Sequence, residues 1–515
     1  MDFILALLSI DTILIVIAGT LAGIVVGILP GLGGPTGVAL LLPFTFSMSP
    51  VNALLLLGGV YMGSSYGGSV TAVLLNAPGT EAAAATSLEG YPLMKQGRAK
   101  EAIYLSLASS FMGGLFGVLV LLFFTPVLGR IALKFGPPEM FLLAMTGIAI
   151  IAALAGRNLA KGLAAGAAGV LLSTVGPDPM SGSSRLTFDF LPLEAGIQLV
   201  PCLVGLFAVA EMLSLALRAE SSRLSDVPQQ DITLLEVFRS ILAKKPFLLA
   251  KSSVIGTIIG IMPGAGAAVA CFIAYGEALR SSKHPEQYGK GNPEGIIAAE
   301  SANNAAVGGA LVPLLALGIP GSTTCAILFG ALTIHGLFPG PRLFVEHGEV
   351  VYTFMFGMCL TTFAMLIIGR VGANSFAKIS DVPLKILVPV VLLLCFVGAY
   401  SVRNNSFDIV LTVAFGLLGL VYKISGIPVA PTVLGLILGP ICEVGFRQGL
   451  TIAQAQQMSM FSYVLFRPLS VILAVLFALV LYTSFKAAKA QAQLGKILDQ
   501  KEKLASDDSE RATSK

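Results

Sequence analysis

The chain alternates between long apolar stretches with few charges and short polar intervals. Ala102 to Leu128, Gln198 to Leu217, Val351 to Ile368 and Pro468 to Phe485 each read as a membrane helix, since a bilayer core is crossed by roughly 20 apolar residues. By the same criterion the whole chain makes on the order of 11 to 13 crossings or half-crossings. The opening segment begins with Asp2, carries no early Lys or Arg and lacks a small-residue cleavage site. It reads as the first membrane helix rather than a secretory signal. The expected fold is an all-α polytopic membrane protein.

The longest polar interval, Arg218 to Lys245, contains Arg218, Arg223, Arg239, Lys244 and Lys245. Basic residues favour the cytoplasmic side. The expected organisation is a first transmembrane repeat over 1–217, a cytoplasmic linker with an interfacial helix over 218–250, a second repeat with C-terminal helices over 251–485, and a polar cytoplasmic tail over 486–515.

The repeat rests on self-similarity. GIVVGILPGLG at Gly23 to Gly33 returns as GTIIGIMPGAG at Gly256 to Gly266, with six identities in eleven positions at an offset of 233. Pro78-Gly79-Thr80 returns as Pro320-Gly321-Ser322, and Gly129-Arg130 as Gly369-Arg370, at offsets of 242 and 240. Loop charge sets the expected orientation of the halves. Phe46 to Asn52 has no basic residue, whereas its counterpart Leu279 to Glu294 has Arg280, Lys283 and Lys290. The next pair reverses this: Pro92 to Glu101 carries Lys95, Arg98 and Lys100, against Arg342 alone, with Glu346 and Glu349, in Gly336 to Val350. Two inverted-topology repeats with discontinuous helices at Pro-Gly breaks are expected, with the N-terminus periplasmic and the C-terminus cytoplasmic.

Composition excludes other classes. Hydrophobic residues make up 55% of the chain, charged residues 12%, and mean hydropathy is +0.87, whereas soluble domains carry about 25% charged residues. The six cysteines stand singly, without metal-ligand spacing, so packing is their expected role and no structural metal is expected. The net charge of +4 resides in loops and the tail, a pattern of membrane flanks that gives no reason to expect nucleic acid. Gly63-Ser64-Ser65-Tyr66-Gly67 fits a nucleophile elbow, but the chain has three histidines and at least two fall in loops, so an intramembrane serine protease is a remote alternative. The glycine string Gly31 to Gly37 lacks the lysine of a phosphate loop and follows a membrane helix. No enzyme activity and no cofactor are expected, and energy for transport should come from an ion gradient.

The candidate chemistry lies at four breaks: Pro30-Gly31, Pro78-Gly79, Pro263-Gly264 and Pro320-Gly321. A Pro-Gly step unwinds a helix and frees backbone groups. In lipid those groups are tolerated only where they line a cavity, and broken helices in duplicated positions mark transporter binding sites. Backbone at Pro30, Gly31, Gly33, Gly34, Pro263, Gly264 and Gly266 is the candidate cation site. Substrate contacts are expected from Ser65, Asn76, Pro78, Gly79, Thr80, Asn303, Asn304, Pro320, Gly321, Ser322 and Thr323. Hydroxyl and amide groups of this kind hydrogen-bond a carboxylate without a fixed countercharge. They also serve simply to cement helix contacts. Glu81 and Glu300 are the nearest ionisable residues.

These motifs, with PEGIIAAESANNAAVGGALVPLLALGIPGS at Pro293 to Ser322, resemble the TctA permease family over about Gly19 to Pro440. The resemblance implies the large membrane subunit of a tripartite carrier in the bacterial inner membrane. Its partners would be a small TctB-like membrane subunit and a periplasmic TctC-like solute-binding protein. It would import tricarboxylates or other organic acids by symport with Na+ or H+. A partner-independent organic-anion carrier or exporter is the alternative.

Overall fold

The computed structural model describes residue 7 and residues 9–29, 32–154, 159–217, 232–263, 266–373, 384–479 and 481–482. Helices dominate: α1 (Ile10–Ile28), α2 (Gly34–Leu41, continued by a 3-10 turn over Leu42–Ser47), α3 (Pro50–Leu75), α4 (Ala83–Lys95), α5 (Ala99–Ala132), α6 (Pro137–Leu154), α7 (Leu159–Ser173), α8 (Leu199–Ala216), α9 (Pro246–Ile261), α10 (Gly266–Ser281), α11 (Pro293–Leu317), α12 (Thr323–Ile334), α13 (Gly348–Gly372), α14 (Leu384–Ser401), α15 (Ser406–Ile424) and α16 (Ala430–Ala455). Among the described residues the only sheet is a pair of two-residue strands, Gly176–Pro177 against Ser184–Arg185. Among the described residues seven helices are long and apolar enough to cross a membrane, and five shorter apolar helices accompany them. The protein is an all-α polytopic membrane protein. The expected linker helix falls partly on described residues: Thr233 caps a helical segment running from Leu234 to Lys244. Residues 218–231 and the tail 486–515 lie outside the described residues.

Two compact units divide the chain. One comprises Met1–Lys134, Val175–Pro177 and Ser183–Ser425, the other Phe135–Thr174, Asp178–Gly182 and Gly426–Lys515. Each half of the sequence contributes to both.

The duplicated motifs take the same local structure within the first unit. Ser49 accepts the Asn52 N–H to cap α3, with Pro50 at its first position, and Asn292 accepts the Glu294 N–H to cap α11, with Pro293 in the same place. A side-chain acceptor and a proline that needs no partner for its missing N–H make a strong helix start. Both helices end on a left-handed residue, Asn76 at φ 53° and Gly318 at φ 72°. Asn and Gly are the residues that tolerate this cap.

Glycines then set the packing. Gly23 and Gly27 bring α1 against the backbone of Val60 and Ser64 in α3, and Gly256 and Gly260 bring α9 against Ala302 and Ala306 in α11. A Cβ at any of the four would overlap a carbonyl oxygen. The contacts climb together, so α1 runs parallel to α3 and α9 to α11, with α2 and α10 as the short return segments. Small residues permit such backbone approach in membranes, where apolar burial alone gives helices little reason to associate. Residues 57–73 of α3 and 295–316 of α11 are buried without interruption, which places these two helices at the centre of the unit.

The outer helices exchange between halves. Gly113 and Gly117 seat α5 on Ser301 and Ala305 of α11, while Gly58 of α3 receives Phe354 and Met358 of α13. Hydrogen bonds link Ser69 to Glu300, Asn303 to Ser65 and Asn304 to Met62. Numbers fall along α3 as they rise along α11, so the two central helices pass each other antiparallel.

In the second unit, Gly169 seats α7 on Thr432 of α16 and Gly445 seats α16 on α6. The buried Glu139 carboxylate accepts from the Gly136 N–H at 2.8 Å, the Arg467 Nε at 2.6 Å and the Ser470 hydroxyl at 2.5 Å. Arg467→Ala should cost about 2 kcal/mol, less than for a fully enclosed pair because the guanidinium is a third exposed. Thermal unfolding of the purified variant reads this, and an unchanged midpoint would contradict it. The loop carboxylate of Asp178 is held below its usual range by the Ser181 and Met180 N–H groups and by Arg447.

Candidate functional site

Gly34 opens α2, and a Cβ there would lie 2.9 Å from the Ser64 hydroxyl, 3.2 Å from the Thr324 hydroxyl and 3.5 Å from the Tyr61 ring. Thr324 belongs to the first turn of α12, which Ser322 caps by accepting the Cys325 N–H at 3.2 Å. The Ser322 hydroxyl also shares a 2.9 Å hydrogen bond with the Tyr61 hydroxyl. The N-termini of two short helices, one from each half, thus meet around hydroxyls of Tyr61, Ser64, Ser322 and Thr324. Tyr61, Ser64 and Thr324 are buried, and Ser322 is 8% exposed. Helix N-termini present unpaired N–H groups and the positive end of the dipole. Together with hydroxyl donors they favour an anion.

Duplication alone does not produce this lining. At the corresponding positions of the other half, Ala306 stands for Ser64 and Ala82 for Thr324. There Ala82, Ala85, Cys271 and Ala299 form an apolar cluster against Ala267 of α10. The polar character belongs to one of two equivalent places.

The expected substrate residues do not form one group. Ser322 lies in the hydroxyl cluster and Thr323 stands beside it in the first turn of α12. Ser65 turns its hydroxyl back to the Tyr61 carbonyl at 3.1 Å, as Ser64 does at 3.0 Å, but only Ser64 also faces the start of α2. Asn303 and Asn304 donate through Nδ2 to the carbonyls of Ser65 at 3.0 Å and Met62 at 3.4 Å. Both Oδ1 atoms are buried without a partner among the described residues. Asn76 is the exposed C-cap of α3, and Thr80 accepts the Ala83 N–H at the start of α4. Gly79 and Gly321 have a packing reason: a Cβ would overlap the Gly27 carbonyl in one case and the Gly260 and Ala310 backbones in the other. Pro78 and Pro320 immediately precede them.

Of the candidate cation site, Pro30, Gly31 and Gly264 lie outside the described residues. Gly33 precedes α2 in an extended conformation, its carbonyl accepting from Gly37. Pro263 follows the end of α9, and Gly266 has φ +68° with open space where a Cβ would stand.

Two carboxylates complete the polar interior. Glu300, fully buried, accepts the Ser69 hydroxyl at 2.5 Å and the Thr86 hydroxyl on Oε1 and the Ser110 hydroxyl at 2.8 Å on Oε2. Glu89, also fully buried, accepts the N–H groups of Gly289, Gly291 and Asn292 at 2.5, 2.8 and 2.8 Å and the Tyr275 hydroxyl at 2.8 Å. Glu81 is exposed. The sequence reading overlooked Tyr61 and Glu89. Tyr61 is signalled only by standing one turn before Ser64, and Glu89 by nothing local, since its partners lie 186 to 203 residues away.

Residues 13–434 match the sequence profile of the tripartite tricarboxylate transporter TctA family. Over 445 residues the chain is 35% identical to an uncharacterised 52.8 kDa protein in the TAR-I ttuC' 3' region of Agrobacterium vitis, covering 85% of this chain and 87% of that one. A second protein of that organism, in the TAR-II ttuC' 3' region, is 32% identical over 199 residues, 39% of this chain and 82% of its own. No solved structure matches at a significant level. With broken helices in duplicated places, polar groups gathered at one of them and a family match across four-fifths of its length, the chain belongs to the TctA family of tripartite tricarboxylate transporters.

Proposed function

We propose that this protein is the large permease subunit of a secondary transporter that imports tricarboxylates or other organic acids. A periplasmic binding protein delivers the acid, a small TctB-like subunit completes the membrane complex, and a Na+ or H+ gradient drives uptake across the bacterial inner membrane. The observation that carries this reading is the meeting of the α2 and α12 N-termini around four hydroxyls. An organic anion entering a membrane needs its charge offset, to which oriented dipoles and co-transported cations both contribute. The antiparallel passage of α3 and α11, central helices of the two halves, supports an inverted-topology repeat. Cysteine accessibility at Ser47, Ser281, Gln96 and Glu346 tests it: corresponding loops should label from opposite sides, and labelling from the same side would refute the inversion.

The site itself is tested by Ser64→Ala and Thr324→Val, which keep the packing and remove one hydroxyl each. A lost hydrogen bond to a charged group is worth about 1.5–3 kcal/mol. Each variant should therefore lose about tenfold or more in organic-acid uptake at low substrate, with normal assembly. Wild-type uptake in the double variant would move the substrate elsewhere.

A further inference from the structure

Glu300 stands in the most enclosed part of the first unit, on α11, one turn from Asn303. Its three hydrogen-bond donors come from three other helices: Ser69 from α3, Thr86 from α4 and Ser110 from α5. No basic residue takes part. The corresponding position in the other half is Gly58, so the carboxyl is not a duplicated packing element. Three further hydroxyls, those of Tyr66, Ser106 and Ser109, are buried on α3 and α5 without a hydrogen-bond partner among the described residues. Tyr66 and Ser106 lie near the Glu300 carboxyl.

The charged surroundings are sparse. Among the described residues the titratable groups facing Glu300 are the Tyr66 phenol from α3 and the Cys271 thiol from α10, with Tyr104 of α5 beyond Tyr66. Glu89, one turn along α4 from Thr86, is engaged by its own four donors. Basic residues on the packed helices sit towards helix ends: Arg98 pairs with Glu101, Lys251 and Arg280 pair with Glu277, Lys95 and Lys100 lie over tyrosine rings, and Arg130 is exposed. Glu346 belongs to the opposite, Leu317 end of α11. α12 carries no charged side chain.

A carboxylate in such a place, with no cation, is expensive to keep ionised. A hydroxyl ring changes the balance because each hydroxyl can turn: it donates to the ionised carboxylate and accepts from the protonated one. The ring satisfies both states without moving a helix. A metal cation is served less well, since it would need all three hydroxyls of Ser69, Thr86 and Ser110 to turn away from the carboxylate, giving up the hydrogen bonds they make, whereas a proton needs only one to turn.

We infer that Glu300 is a proton-carrying site, the carboxyl that takes up one H+ on the outer side and releases it inside as the organic anion crosses, so that the coupling ion is H+. This rests on the transport reading and names its coupling chemistry. The proton binds one Oε and leaves from it, with no other bond made or broken.

The test uses the assembled transporter in sodium-free vesicles. The wild type should accumulate labelled organic acid under an inward proton gradient and alkalinise the outer medium as it does so. Glu300→Gln should lose accumulation above equilibration while retaining exchange of labelled for unlabelled acid within a few-fold. Accumulation that needs Na+ and moves no proton would overturn the inference and leave the transport reading standing, as would Glu300→Gln that still concentrates the acid. Should Glu300→Gln fail to assemble, the wild-type pH record decides by the same criterion. If no acid is moved under any gradient, the transport reading fails. Infrared difference spectra between acid and alkaline pH then decide separately: a protonated-carboxyl band lost in Glu300→Gln supports the site, and no such band overturns it.

Discussion

Gly79→Ala should prevent the first unit from assembling. The new methyl would overlap the Gly27 carbonyl and approach the Gly68 backbone. Neither obstacle is a side chain able to swing away, because α1 and α3 are themselves pressed together through Gly23 and Gly27. Overpacking in a close-packed interior typically costs 1–3 kcal/mol and more when backbone must move, so a loss of at least about 3 kcal/mol is expected. Gly321→Ala should do the same against the Gly260 and Ala310 backbones. Gly276→Ala is the matched control. Gly276 is exposed on α10 with nothing near its Cβ position, and alanine there should stabilise by up to about 1 kcal/mol through helix propensity. Yield of monodisperse protein and its thermal midpoint measure all three. Normal midpoints for the Gly79 and Gly321 variants would show that the repeated approach of the chain to the helix crossing is not tight.

Glu89→Ala is the second large effect. Its carboxylate satisfies three backbone N–H groups in the turn before α11 and the Tyr275 hydroxyl, all within the first unit. Removing it strands the buried Gly291 and Asn292 N–H groups, while the Gly289 N–H and the half-buried Tyr275 hydroxyl stand nearer water. Each unsatisfied buried group costs about 1–3 kcal/mol. With partial relaxation of the turn the net loss should be about 2–4 kcal/mol. Tyr275→Phe removes one donor together with its hydrogen bond and should cost about 1 kcal/mol. A Glu89→Ala midpoint within a degree of wild type would mean the turn finds other acceptors.

The large features of the fold were legible in the sequence for physical reasons. Apolar length marks membrane helices directly, and the GIVVGILPGLG and GTIIGIMPGAG motifs fix glycines at the helix contacts, so duplicated sequence became duplicated packing. The breaks at Pro78-Gly79 and Pro320-Gly321 were found for the same reason. The site was only partly legible. Ser322 could be picked out because it sits at a break, but Tyr61 and Ser64 lie inside an unbroken helix and meet Thr324 only through the exchange of elements between halves. Asn303 and Asn304, expected as substrate contacts, use their Nδ2 groups to hold α3 and keep their buried Oδ1 atoms without a partner among the described residues. Glu89 and Glu300 act through partners far away in sequence, which no local pattern encodes.

The most direct test of the account is uptake of labelled citrate and a panel of organic acids by vesicles carrying this protein, the small membrane subunit and the binding protein, with and without an imposed cation gradient. The account predicts accumulation that requires all three components and the gradient. Accumulation undiminished without the binding protein or the gradient would contradict it, as would an assembled complex that moves none of the acids.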